Sequence, residues 1–116
     1  MATIQEIDTF LKEFKFKMKI FNILFRDERK KNTQALLSLE ITQIARKEII
    51  ENLTTAEYSE GPLDDNLYGI SSMWVFGKKI KKIEIYIKLS MGQPNNKVLC
   101  ISFHDAEHPM NYPLKK

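Results

Sequence analysis

The chain has 116 residues, of which 43% are hydrophobic and 28% are charged. This length predicts a single domain over residues 1–116, and the composition is typical of a globular protein. No run of about 20 apolar residues occurs, so we expect no membrane span and no membrane partner. Because the first ten residues lack an apolar signal core and Cys100 has no cysteine to pair with, we expect a cytoplasmic protein without an internal disulfide.

The net charge of +3 is unevenly distributed along the chain. Segments 12–31 and 78–116 each contain eight basic and three acidic residues, whereas segment 48–65 contains six acidic residues and no basic one. Such asymmetry indicates either two phosphate-binding surfaces beside a repelling one, or chance clustering of solvated charges.

The N-terminal third reads as a helix followed by a strand. Thr3 is a candidate N-cap, and an apolar stripe predicts a helix that ends near Phe14. Residues 15–20 alternate lysine with an apolar side chain, a pattern that predicts a strand with lysines facing solvent. These lysines either protect a sheet edge or follow an RNA backbone.

A second helix is predicted after Thr42, its candidate N-cap. Ile44 is placed on its core face and Arg46 on its solvent face. Residues 33–39 fit either a short helix or a packed loop, and segment 52–65 is predicted to be irregular.

The C-terminal half predicts a three-stranded meander. Its strands are Met73–Phe76, Ile83–Leu89 and Val98–Phe103, joined by turns over Gly77–Lys82 and Met91–Lys97. A positive φ is expected at Gly77 and Gly92. We therefore predict an α+β fold in which the helices pack on one face of a small antiparallel sheet.

The string from His104 to His108 fits the H-x-x-E-H pattern of inverted zinc peptidases. Those sites need both histidines one turn apart on a helix. Here the string directly follows a strand, and Pro109 disfavours helical geometry at His108. A metal-dependent hydrolase using the two histidines is therefore kept as an alternative.

Metal-independent RNA cleavage is the other chemistry that these residue types allow. A base activates the 2′-hydroxyl, a cation stabilises the phosphorane, and an acid protonates the leaving 5′-oxygen. Tyr86 and Lys88 share one face of a strand, His104 ends the neighbouring strand, and Lys78 precedes them. Each also has a structural interpretation, as a sheet tyrosine, solvated lysines or a hydrogen-bonded histidine. Trp74 either stacks a base or packs in the core.

In order and spacing, several short segments resemble the motility-quorum-sensing-regulator toxins of the RelE-like mRNA interferase superfamily. The resemblance covers about residues 6–108. The segments that carry it are Leu39-Glu40-Ile41, the helix at 44–53, Ala56-Glu57-Tyr58-Ser59, Trp74, Ile85-Tyr86-Ile87-Lys88-Leu89 and Ile101-Ser102-Phe103-His104.

The resemblance implies a RelE-like toxin of a bacterial type II toxin–antitoxin pair, which cleaves mRNA, free or on the ribosome. Tyr86 lies at the family's catalytic tyrosine, and His104 replaces a functional lysine. Lys88 would assist catalysis, and Lys78 and Trp74 would contact substrate. The implied partners are mRNA and a cognate antitoxin, and neither a metal nor an organic cofactor is needed.

The sequence departs from the family pattern at two further points. Val75 stands where the family has a glutamine, and Ser59 or Glu60 stands where it has a lysine. These losses favour an alternative, a non-catalytic RNA- or protein-binding module of the same fold. In the extension beyond residue 104, His108 and Tyr112 would compensate by contacting substrate.

Overall fold

The structure is a computed structural model that describes residues 1–28, 30–64 and 71–115. Its helices are α1 (Ile4–Phe21), α2 (Lys30–Leu39) and α3 (Gln43–Glu51), and its strands are β1 (Ile23–Phe25), β2 (Tyr58–Leu63), β3 (Met73–Ile80), β4 (Ile83–Ser90) and β5 (Val98–Asp105). The described residues therefore form an α+β fold, which confirms the predicted fold class.

The five strands form one mixed sheet in the order β1-β5-β4-β3-β2. The predicted meander is confirmed as β3, β4 and β5, which pair antiparallel. The prediction of a wholly antiparallel sheet is wrong, since β1 pairs parallel with β5. Segment 52–65 also differs from its prediction, because β2 adds a strand beside β3; its last residue, Asp65, lies outside the described residues.

Helix α1 continues to Phe21, so the strand predicted at residues 15–20 is wrong. Phe14 and Met18 extend the helical spacing of the buried stripe, and this periodicity overrides the local alternation. The lysines do not lie on a sheet edge. Lys15 Nζ donates to the Leu53 carbonyl at 2.5 Å, and Lys17 Nζ donates to the Met91 carbonyl at 2.6 Å.

Both predicted N-caps are confirmed. The Thr3 hydroxyl accepts a hydrogen bond from the Glu6 amide, and the Thr42 hydroxyl accepts one from the Ala45 amide.

The predicted facing of α3 is wrong at two positions. Ile44 is 73% exposed, whereas Arg46 is fully buried. Arg46 donates from Nη1 and Nη2 to the two carboxylate oxygens of Asp27 at 2.8 and 2.9 Å, and its guanidinium lies 3.6 Å from the Phe25 ring centroid. This bidentate pair and the aromatic contact compensate for burying the charge.

The sheet has two unlike faces. The core face, represented by Phe76, Ile85, Ile87, Leu89 and Phe103, belongs to one apolar cluster that includes residues of all three helices. The cavity face carries Tyr86, Lys88, Ser102 and His104. No helix among the described residues is long and apolar enough to cross a membrane.

The turn predicted over Gly77–Lys82 lies at the end of that range, at Lys81–Lys82, where both residues have positive φ, of 50° and 71°. The positive φ expected at Gly77 is not found. Gly77 is inside β3, opposite Tyr86. The turn prediction at Gly92 is confirmed by a φ of +70°.

Candidate functional site

The cavity face presents two rows of side chains that run across the strands. One row aligns Gly77, Tyr86 and His104, and the next aligns Val75, Lys88 and Ser102. Since side chains in register on neighbouring strands lie about 5 Å apart, Tyr86, Lys88 and His104 are brought together as predicted.

A bulge in β5 determines that His104 lies on this face. Cys100 pairs with Leu89 and faces the core, whereas Ser102 pairs with Lys88 and faces the cavity. Strict alternation would have put both on the same side of the sheet. The extra residue, Ile101, reverses the facing of the last part of the strand.

Asn32 of α2 stabilises this bulge. Its side-chain amide donates to the Ile101 carbonyl at 3.0 Å and accepts from the Phe103 amide at 2.9 Å. The Asn32 side chain thus forms hydrogen bonds with backbone groups of β5 in the part of the strand that extends past its pairing with β1.

The floor residues Tyr86, Lys88, Ser102 and His104 line an open cavity of about 880 Å³. One wall is formed by residues 59–63 around β2, and the other by residues 107–111 and 113 of the C-terminal segment. The first wall is therefore distant in sequence from the floor, whereas the second follows His104 closely along the chain.

The rings of Tyr86 and His104 lie nearly parallel to each other on the floor of the cavity. Their ring centroids are 5.4 Å apart and their planes differ by 13°. The Lys88 ammonium lies 5.6 Å from the centroid of the Tyr86 ring. A phenol, an imidazole and a cation are therefore close enough to act on one small group.

The hydrogen bond of His104 fixes the tautomer of its neutral ring. Nδ1 donates to the Asp105 carbonyl at 2.9 Å, and a carbonyl oxygen only accepts hydrogen bonds. The proton of the neutral imidazole is thus assigned to Nδ1, and Nε2 is left as the acceptor. His104 is 8% exposed and lines the cavity, so its Nε2 can accept a hydrogen bond from a bound molecule.

The C-terminal segment is docked on the sheet through Glu84. The carboxylate of Glu84 accepts hydrogen bonds from the Met110 amide at 3.1 Å and the Tyr112 hydroxyl at 2.8 Å. Its backbone carbonyl accepts one from the Ala106 amide at 2.9 Å. Lys31 of α2 forms an ion pair with Glu107, so the segment is held at two places.

Gly77 makes room for this docking. A Cβ atom at this position would lie 2.2 Å from the Tyr112 hydroxyl oxygen and 2.8 Å from Met110 Sδ. Burial, followed by the hydrogen bond to Glu84, raises the pKa of the Tyr112 phenol well above its usual range. The role that the structure gives Tyr112 is therefore to hold the wall of the cavity, and the prediction that it contacts substrate is not supported by its contacts.

Among the remaining predicted residues, His108 lines the cavity. Trp74 does not, because it stacks on Phe10 of α1 with ring centroids 4.7 Å apart. Lys78 pairs in register with Ile85 and forms an ion pair with Glu57 at 2.9 Å, on the opposite side of the sheet from Tyr86. Neither Trp74 nor Lys78 therefore lines this cavity, and the substrate-binding roles predicted for them stay predictions.

The zinc-peptidase pattern lacks the geometry that it requires. His104 lies in β5 and His108 in a bend after it, so the two histidines are not on one helix. Within residues 1–28, 30–64 and 71–115, no group of three or more histidine, cysteine, aspartate or glutamate side chains could hold a metal ion.

The cavity has mixed charge and includes residues that the sequence did not single out. Lys31 and Lys88 line it together with Glu60 and Glu107. Glu84, which anchors the C-terminal wall, lies two residues before Tyr86, so period-two spacing could have placed it on the same face of the sheet. Glu60 was noted only as a departure from the family pattern, and its place in the cavity was not predicted because β2 was not predicted.

We compared the chain with known protein families, with characterised proteins and with solved structures, and none of the three comparisons found a match.

Proposed function

We propose that this chain is the toxin of a type II toxin–antitoxin pair, a metal-independent endoribonuclease that cleaves mRNA in the cytoplasm and thereby inhibits translation and growth. The observation that carries the proposal is the convergence of Tyr86, Lys88 and His104 in one open cavity. The sequence resemblance supports a RelE-like fold and a cognate antitoxin that covers this cavity.

In the proposed reaction each of the three groups has one role. His104 Nε2 accepts the proton of a ribose 2′-hydroxyl, whose oxygen bonds to the adjacent phosphorus. The Lys88 ammonium stabilises the negative oxygens of the phosphorane. The Tyr86 hydroxyl protonates the 5′-oxygen as its bond to phosphorus breaks, which leaves a 2′,3′-cyclic phosphate and a 5′-hydroxyl.

The test is induced expression of the wild type beside three cavity variants, Tyr86→Phe, His104→Gln and Lys88→Gln. Growth is followed, and the 5′ ends of cellular mRNA are mapped. We expect the wild type to arrest growth and to create new mRNA ends. Each cavity variant should lower cleavage by about 10²-fold or more, since acid–base groups and groups that stabilise charge in the transition state each contribute roughly that much.

Lys78→Gln is the matched control, because Lys78 is a lysine of the adjacent strand whose ion pair lies away from the cavity. It should arrest growth like the wild type. Equal loss of activity in Lys78→Gln and Lys88→Gln, with both proteins folded, would contradict the proposed site.

A non-catalytic binding module is the second candidate. It is favoured by the carboxylates of Glu60 and Glu107, which line the same cavity as Lys88 and oppose the binding of phosphate. Growth arrest without new mRNA ends would support this candidate and contradict the nuclease.

A further inference from the structure

We propose that Glu60 makes the cavity accept one unpaired nucleotide in a single orientation, with an exocyclic amino group of the base at Glu60 and the phosphate at Lys88 and His104. This inference deepens the proposed function, since it rests on RNA as the substrate. It names cytosine, adenine and guanine as accepted bases and uracil as the disfavoured one.

Glu60 and Lys88 lie at opposite ends of one row of side chains. Glu60 pairs with Val75, and Val75 pairs with Lys88, so the three residues form one row across β2, β3 and β4. Strands two places apart in a sheet are separated by about 10 Å. The row therefore has the Glu60 carboxylate at one end and the Lys88 ammonium at the other, with the buried side chain of Val75 between them.

A register shift in β2 gives Glu60 this facing. Tyr58 pairs with Phe76 on the core face, whereas Glu60, two residues later, pairs with Val75 on the cavity face. Without the shift, Glu60 would share the facing of Tyr58. Glu60 instead lines the cavity.

The cavity walls on either side of this row carry flat or apolar side chains. Pro62 and Leu63 of β2 and Pro109 and Met110 of the C-terminal segment line the same cavity as Glu60. Flat or apolar side chains on opposing walls suit an unpaired base, which can be inserted between them.

A carboxylate selects its partners by their hydrogen-bond donors. An ionised Glu60 only accepts hydrogen bonds, so it pairs with an amino group and repels both phosphate and the O4 carbonyl of uracil. The phosphate is consequently directed to the Lys88 end, where the proposed reaction takes place.

The test uses two nucleotides that differ at one position of the base. Cytidine 3′-monophosphate carries an amino group at C4, and uridine 3′-monophosphate carries a carbonyl there. Binding to the purified full chain is measured by NMR titration of the backbone amides of β2 and β4. We expect the cytidine nucleotide to bind roughly tenfold more tightly than the uridine nucleotide.

Glu60→Gln should reduce this preference to about twofold or less, because an amide both donates and accepts. Glu107→Gln is the matched control, since Glu107 lines the same cavity but is paired with Lys31. It should change the affinity for both nucleotides by the same factor and so retain the preference.

The outcomes separate this inference from the proposed function. Equal wild-type affinities for the two nucleotides, an undiminished preference in Glu60→Gln, or no binding of either nucleotide would overturn the inference, even if induced protein still cleaved mRNA. A tenfold preference that Glu60→Gln removes would support it, even if mRNA remained intact and the nuclease proposal failed.

Discussion

The two faces of the sheet are built by different means. The core face is an apolar surface that all three helices help to cover. Its packing is spread over many apolar contacts. The cavity face is covered by a short C-terminal segment that depends on a few polar contacts, chiefly those to Glu84. The free energy of unfolding should therefore be most sensitive to substitutions on the core face. The shape of the cavity should be most sensitive to substitutions on the cavity face.

The largest effect is expected from Arg46→Ala on the core side. The variant removes a buried side chain that packs on Phe25, and it leaves Asp27 without its bidentate partner. We expect the free energy of unfolding to fall by about 3–5 kcal/mol. Urea denaturation followed by circular dichroism measures this change.

Lys47→Ala, at the neighbouring and more exposed position, is the control and should change stability by roughly 0.5 kcal/mol or less. A loss below about 1 kcal/mol for Arg46→Ala would mean that the buried ion pair does not stabilise the core side.

An intermediate effect is expected from Gly77→Ala on the cavity face. In most strand positions alanine is at least as favourable as glycine, but here its Cβ would overlap the Tyr112 hydroxyl oxygen. We expect a loss of about 1–3 kcal/mol. Hydrogen exchange should become faster at the Met110 and Ala106 amides, while amides within β4 remain protected.

The cross-check is Gly77→Ala combined with Tyr112→Ala, which removes the clashing ring. The two substitutions should be non-additive, with a smaller combined loss than the sum of the single losses, because they act through one contact. Additive losses would show that the C-terminal segment does not dock against Gly77.

The effect that is smallest near neutral pH concerns Cys100, which faces the core. Burial raises the pKa of its thiol to about 12. The unfolded chain, with an ordinary thiol pKa near 9, loses this proton first as the pH rises. The thiol therefore lowers stability only above about pH 9, with a slope approaching 1.4 kcal/mol per pH unit.

Cys100→Ala should remove this contribution to the slope between pH 9 and 11 and leave the pH dependence below pH 8 unchanged. Urea midpoints of the two proteins across that range give the comparison. Rapid labelling of the folded wild type by a thiol reagent at pH 8 would contradict the burial on which the argument rests.

The core face was largely predictable from the sequence, because its signal is local. Alternation over residues 83–89 placed Ile85 and Ile87 on one side and Tyr86 and Lys88 on the other, and the register of β4 confirms it. The same signal failed at residues 15–20, where Phe16 and Ile20 are exposed on a helix that tertiary packing extends.

The cavity face was predictable only in part, because its geometry depends on contacts between distant residues. The facing of His104 depends on a bulge that Asn32 stabilises from another helix. The wall opposite β2 depends on Gly77 and Glu84 accepting a segment about 30 residues away. Neither dependence leaves a periodic pattern in the sequence.

The most direct test of the central claim is the chemistry of the RNA ends that the purified chain produces, with and without ribosomes. The account predicts a 2′,3′-cyclic phosphate and a 5′-hydroxyl at each cut, and a loss of cutting in both Tyr86→Phe and His104→Gln. Cuts that leave a 5′-phosphate, or cuts that persist at wild-type rate in both variants, would contradict the claim that these two side chains transfer the protons of the reaction.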